Sequence, residues 1–147
     1  VRLPKSGTVF LSVKAADKPG LLPIAKNLVA LGFDLVATGG TCAYLNENGV
    51  EATRVRKVLE GQPHILDSII NGDIALMINT TTKSPRAIAD STNIRRMAMM
   101  NKIPSYTLLT AARAAVKAIE AIKSKDIEVA SLQSYFESDA AKKEEAA

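Results

Sequence analysis

A chain of 147 residues with 47% apolar and 23% charged residues has the composition of an ordinary globular domain, large enough for a core of its own. A formal charge of +4 is mild, and 4% aromatic residues with no Trp argue against a nucleic-acid binder that stacks bases on rings. No apolar run nears the roughly 20 residues that cross a bilayer, and the single cysteine, Cys42, excludes an internal disulfide and fits a reducing cytosol.

In chain order, the apolar and β-branched residues 8–13 predict a first strand. Residues 14–20, ending Asp17-Lys18-Pro19-Gly20, read as a loop. Apolar residues at 21, 24, 25, 28, 29 and 31 follow a helical period, and Gly32 stands where a C-terminal cap belongs. Pro23 predicts an irregular first turn for that helix. Residues 33–37 predict a second strand, and 41–48 a second helix closed by Gly49. A third strand is expected over 50–55, a loop over 57–62, and a short helix over 63–71 capped by Gly72.

Ile74-Ala75-Leu76-Met77-Ile78 is an unbroken apolar run, as in a central strand covered on both faces. A polar loop over 79–85, a helix over 86–101, a short strand over 104–108 and an Ala-rich helix over 110–123 complete the pattern. Strands alternating with helices imply an α/β fold of three layers, α/β/α, around a five-stranded parallel sheet. Residues 1–137 are expected to form one domain, with 138–147 a frayed or disordered tail. The first residues, Val1-Arg2-Leu3-Pro4-Lys5, have neither an apolar signal core nor an initiator Met, so a processed chain or a piece of a longer one is expected.

The most informative segment is Thr38-Gly39-Gly40-Thr41, placed between an apolar strand and a helix. Strand, glycine turn with hydroxyls, then helix is how an α/β protein builds a phosphate seat. The backbone can approach the ligand, and the helix start offers N–H groups and the positive end of its dipole. Ligands of such sheets sit beyond the carboxyl ends of the strands. The residues collected there are Asp17 and Lys18; Thr38, Gly39, Gly40 and Thr41; Arg56, Lys57 and Glu60; Asn79, Thr80, Thr81, Thr82 and Lys83; and Thr110. Lysines supply charge, and hydroxyls and N–H groups supply directed donors, a set suited to a phosphorylated ligand.

Cys42 is expected to be a small buried residue, and His64, the only histidine, to serve structure rather than catalysis. No Cys or His cluster offers a metal site.

Five motifs in order, Leu-Ser-Val-x-x-x-Asp-Lys (11–18), Ala-Thr-x-Gly-Thr (37–41), Lys-Val-x-Glu-Gly-x-Pro-His-Ile (57–65), Ile-Asn-Thr-Thr (78–81) and Ile-Arg-Arg (94–96), resemble the C-terminal regulatory domain of bacterial carbamoyl-phosphate synthase large subunits. The resemblance implies a methylglyoxal-synthase-like, Rossmann-like fold. It implies a non-catalytic, allosteric domain that binds nucleotide monophosphates, with uridine monophosphate inhibiting and inosine monophosphate activating. By motif, the phosphate falls to Lys18, Thr38, Gly40, Thr41 and Lys57, and the base and ribose to Asn79, Thr80 and Thr81.

No cofactor is implied for the domain itself, whereas the parent synthase would use ATP with Mg or Mn, in pyrimidine and arginine synthesis. Implied partners are the rest of the large chain and a small glutamine amidotransferase subunit, in the cytoplasm, with neither nucleic acid nor membrane; self-association stays open. The chain departs from the family at Gly39, where His is frequent, and at Pro19-Gly20 after the binding lysine. The alternative is an enzyme of the methylglyoxal synthase type, but its pattern has Gly-Gly-Asp where this chain has Glu60-Gly61-Gln62, and an Asp where this chain has Asn79-Thr80-Thr81-Thr82. Without those carboxylates a proton-abstracting base is missing.

Overall fold

A computed structural model describes residues 3–55, 65, 69, 71–80 and 85–146. Its strands are β1 (Thr8–Ser12), β2 (Asp34–Ala37), β3 (Thr53–Arg54), β4 (Ile74–Asn79) and β5 (Ser105–Tyr106). They form one sheet in the order β3-β2-β1-β4-β5, and every pairing is parallel. A 3₁₀ turn at Ala15–Asp17 leads into α1 (Lys18–Ala30); α2 (Gly39–Glu47), α3 (Pro85–Met100) and α4 (Leu109–Ala146) follow. This is the five-stranded parallel α/β architecture that the strand and helix periods predict. Among the described residues, no helix is long and apolar enough to cross a membrane.

Alternation along the strands builds two cores, because successive side chains of a strand point to opposite faces. On one face, Val9, Leu11, Leu35, Ala37, Leu76 and Ile78 pack with Leu21, Ile24, Ala25 and Leu28 of α1, Cys42 and Leu45 of α2, and Ala112, Val116 and Ile119 of α4. On the other, Phe10, Ile74 and Met77 pack with Ile65, Ile69, Ile94 and Ala98. Ile74 and Met77 share a face although three residues apart, because the register with β1 slips there: Thr8 pairs with Ile74, but Val9 with Leu76. The extra residue is Ala75, a bulge that restores parity. Gly7, at φ +120, lies against it, and a Cβ at Gly7 would come within 2.9 Å of the Ala75 Cβ.

Element ends differ from the expected ones in ways that move site residues. Lys18, expected in a loop, is the first residue of α1. The Asp17 N–H donates to the Lys14 carbonyl at 3.0 Å and turns the chain straight into the helix. Pro19 then occupies an early helical position, where its missing N–H costs little. Pro23 lies inside α1, beyond the first turn in which it was expected, because the helix begins at Lys18. α2 begins at Gly39, two residues earlier than its apolar period indicates, and β3 is only Thr53–Arg54. Asn79, expected in a loop, is the last residue of β4. The Ala-rich helix expected over 110–123 continues to Ala146. The expected loop over 57–62 and most of the expected helix over 63–71 lie outside the described residues.

Candidate functional site

The strand order decides where the site can be. The chain leaves β1 toward β2 on one side and leaves β4 toward β5 on the other, so the connections diverge beyond the carboxyl ends of these central neighbours. Such a divergence opens a crevice at the carboxyl edge of the sheet. Ser12, Val13 and Lys14 of the β1 end, Thr38 after β2, Arg54 at the end of β3, and Asn79 and Thr80 at the end of β4 gather on that edge.

Hydroxyls stitch this edge together. The Thr38 Oγ1 donates to Ser12 Oγ at 2.9 Å. The Val13 N–H donates to Thr41 Oγ1 at 3.2 Å, and the same hydroxyl returns a longer bond to the Val13 carbonyl at 3.5 Å. Across the crevice, the Lys14 N–H donates to Thr80 Oγ1 at 3.0 Å, and the Thr80 N–H to the Ser12 carbonyl at 3.0 Å. Thr38, Thr41 and Thr80 are all buried, as are Ser12 and Asn79. Buried hydroxyls need partners, and these find them 26 to 66 residues away in the chain. The sequence offers the threonine hydroxyls to a ligand; the structure gives those of Thr38, Thr41 and Thr80 contacts inside the protein.

Donors of a different kind face outward. Thr38 is the residue before the first turn of α2, yet its side chain makes no capping bond to that helix, being turned to Ser12. The first N–H groups of a helix have no partner within it. Together with the positive end of the dipole they suit an anion. Neither Gly39 nor Gly40 has a positive φ, so glycine is not there to make a left-handed turn, contrary to the expected glycine turn. What lies close is a side chain: a Cβ at Gly40 would be 3.1 Å from the Lys18 Nζ, a flexible end that can yield. The ammonium of Lys18 therefore rests against the first turn of α2.

The structure thus brings together Lys18, Thr38, Gly40 and Thr41, and sets Asn79 and Thr80 on the next part of the same edge. Lys57 and Thr81, and with them Arg56, Glu60, His64 and Lys83, lie outside the described residues. Asp17 is half-buried and faces Lys14 at 3.9 Å.

Three residues were not anticipated. The strand expected over 50–55 hides Arg54 in its interior, but β3 ends there, which makes it an edge residue; its guanidinium lies beside Gly39. Ser12 ends β1 as an ordinary polar strand residue, with no local signal of its tie to Thr38. Asn46 reaches from α2 to the chain leading into β3: the Ala52 N–H donates to its Oδ1 at 3.0 Å, and its Nδ2 donates to the Ala52 carbonyl at 3.3 Å. Cys42 is buried and donates to the same carbonyl at 3.3 Å, the structural role expected of it.

Comparison with known proteins shows the family and the fold. The MGS-like domain family matches residues 20–107. The chain is 50% identical over 141 residues to a carbamoyl phosphate synthase large chain of Myxococcus xanthus and 49% identical over 137 residues to that of Rhizobium meliloti, covering 96% and 93% of this chain. It is also 47% identical over 137 residues to the carbamoyl phosphate synthase large chain, C-terminal section, of Methanopyrus kandleri. The chain spans only 13%, 12% and 25% of those three proteins. Among solved structures, methylglyoxal synthase from Elizabethkingia anophelis has a similar fold, with a TM-score of 0.64 at 22% identity over 78% of this chain and 79% of that one.

Proposed function

The chain belongs to the MGS-like domain family, and from that premise we propose that it is the regulatory domain of a carbamoyl phosphate synthase large chain, binding a nucleotide monophosphate at the start of α2. The observation that carries the reading is the ammonium of Lys18 set against the glycine first turn of α2, in a chain similar over nine-tenths of its length to such large chains. The phosphate would accept from the first-turn N–H groups of α2 and from Lys18, with Lys57 as a further cation. Thr38 and Thr41 hold the seat in shape, and their hydroxyls can turn partly to the ligand. The base and ribose would lie toward Asn79, Thr80 and Thr81.

Uridine and inosine monophosphates are the proposed effectors, inhibitor and activator in turn. Regulation requires an effector to bind two states of the whole synthase with different affinity. The partners in that reading are the remaining large chain and a glutamine amidotransferase subunit. The parent enzyme would make carbamoyl phosphate with ATP and Mg or Mn, in the cytoplasm, for pyrimidine and arginine synthesis. An enzyme acting on a small phosphorylated substrate is less well supported, since the likeness to methylglyoxal synthase at 22% identity concerns the fold alone.

Calorimetric titration of the 147-residue chain with uridine monophosphate, inosine monophosphate and inorganic phosphate tests the reading. Saturable nucleotide binding, tighter than phosphate and weakened by about 1–3 kcal/mol in Lys18→Ala, is expected for a charge-assisted contact. Absence of binding by all three ligands would sink it.

A further inference from the structure

Beside the Lys18 contact, on the flank of α2 nearer β3, there is a second arrangement. Gly39, Cys42, Ala43 and Asn46 fall at i, i+3, i+4 and i+7, one stripe along α2. With Thr38, Gly40 and Arg54 they line an open pocket that begins at the helix start. Arg54 comes to this place because β3 ends with it and pairs with Ala37 of β2, one residue before Thr38. Asn46 holds the chain before β3 against α2 through both polar groups of Ala52, so the approach of Arg54 to α2 is fixed at its base.

A Cβ built at Gly39 would lie 3.5 Å from Arg54 Nε, 3.6 Å from Nη2 and 3.7 Å from Cζ. Three guanidinium atoms nearly equidistant from one point mean that the face of the group, not an edge, is turned to Gly39. The group stands in the lining of the pocket, next to the first turn of α2. A single methyl would fit at 39, but a longer side chain would take the space the guanidinium fills. Guanidinium carries five N–H donors in a planar fork that matches the oxygens of a phosphate.

We propose that Arg54 is a second cationic contact for the phosphate of the effector, and that the lack of a long side chain at position 39 is what admits it. This rests on the reading of the α2 start as the phosphate seat. Lys18 over Gly40 and Arg54 over Gly39 place two cations against adjacent residues of one helical turn. That pair suits a terminal phosphate monoester, with its charge near −2 and three free oxygens. A phosphodiester, with one charge and two free oxygens, matches it less well. The pocket therefore selects open-chain nucleoside monophosphates over cyclic ones.

The test is calorimetric titration of the 147-residue chain and its Lys18→Ala, Arg54→Gln, Gly39→Leu and Arg54→Gln/Gly39→Leu variants with uridine monophosphate and its cyclic phosphodiester. Circular dichroism melts establish that each variant is folded. Arg54→Gln is expected to bind the monophosphate about tenfold more weakly, the usual scale for a charge-assisted contact, and to lose most of the preference over the cyclic ester. Gly39→Leu, whose backbone φ strains no side chain, is expected to cost the same factor. The double variant should bind no more weakly than either single one, since leucine has already displaced the guanidinium. Unchanged affinity in Arg54→Gln, or losses that add in the double variant, overturn the inference. If Lys18→Ala weakens binding and Arg54→Gln does not, this inference alone fails. If the parent chain binds neither ligand, the phosphate seat fails with it.

Discussion

Replacing Thr41 with Val separates a structural hydroxyl from a ligand-binding one. Thr41 is 2% exposed, and its Oγ1 accepts from the Val13 N–H at 3.2 Å. Valine nearly preserves the shape, so no cavity opens and no apolar contact is lost. What remains is a backbone N–H, on a residue itself 8% exposed, with no acceptor. Leaving a buried donor unsatisfied costs about 1–3 kcal/mol. The weak return bond to the Val13 carbonyl, at 3.5 Å, adds little. For a domain of this size about 2 kcal/mol lowers the melting temperature by roughly 4–8 °C. Thermal melting followed by circular dichroism, without any ligand, reads it. Thr38→Val is the control: it breaks only the hydroxyl pair with Ser12, whose own hydroxyl can turn elsewhere, at about 1 kcal/mol. A Thr41→Val chain that melts within a degree of the parent would refute the reasoning; its hydroxyl would then belong to the ligand rather than to the fold.

Gly40→Ala should act oppositely on stability and binding. Alanine is the better helix residue by about 0.5–1 kcal/mol, and the flexible Lys18 end can yield to a Cβ that would lie 3.1 Å from its Nζ. The melting temperature should rise by roughly 1–3 °C, while calorimetry shows phosphate affinity falling about threefold as the ammonium is pushed off the helix start. Gly7→Ala should destabilise by about 2–4 kcal/mol in urea unfolding, because φ +120 strains any side chain and the Ala75 Cβ, 2.9 Å away, cannot swing aside. Asn46→Ala should cost about 1–2 kcal/mol in the same assay by stranding the Ala52 N–H, and should weaken the monophosphate titration through the loosened base of Arg54.

On the proposed regulatory reading, the Lys18 and Arg54 contacts bear on how the domain would respond. Both cations rest on the first turn of α2; that turn is tied to the β1 end through Thr41, and the far end of the same helix holds the chain before β3 through Asn46. In the proposed reading, a phosphate at the start of α2 would draw on the same turn. An effector holding that turn in one arrangement would bias the edge of the sheet as a unit, the local half of a two-state response.

The amino-acid sequence determined the class of fold and the order of its elements. Burial period is a local property: Ile74 to Ile78 must be covered on both faces wherever the strand ends up, and the spacing of Leu21, Ile24, Ala25 and Leu28 needs only a helix to become one apolar stripe. The neighbourhood of Lys18 and Thr38-Gly39-Gly40-Thr41 was legible for the same reason, as strand ends and helix starts follow from punctuation along the chain. Tertiary structure alone decided which groups meet. The hydroxyls of Thr41 and Thr80 find Val13 and Lys14 from 28 and 66 residues away, through parallel pairings whose order no local pattern encodes. The same pairing brings Arg54 to Gly39. Hydrogen bonds and close approaches are short-ranged, so their partners are fixed only once the sheet has chosen its neighbours.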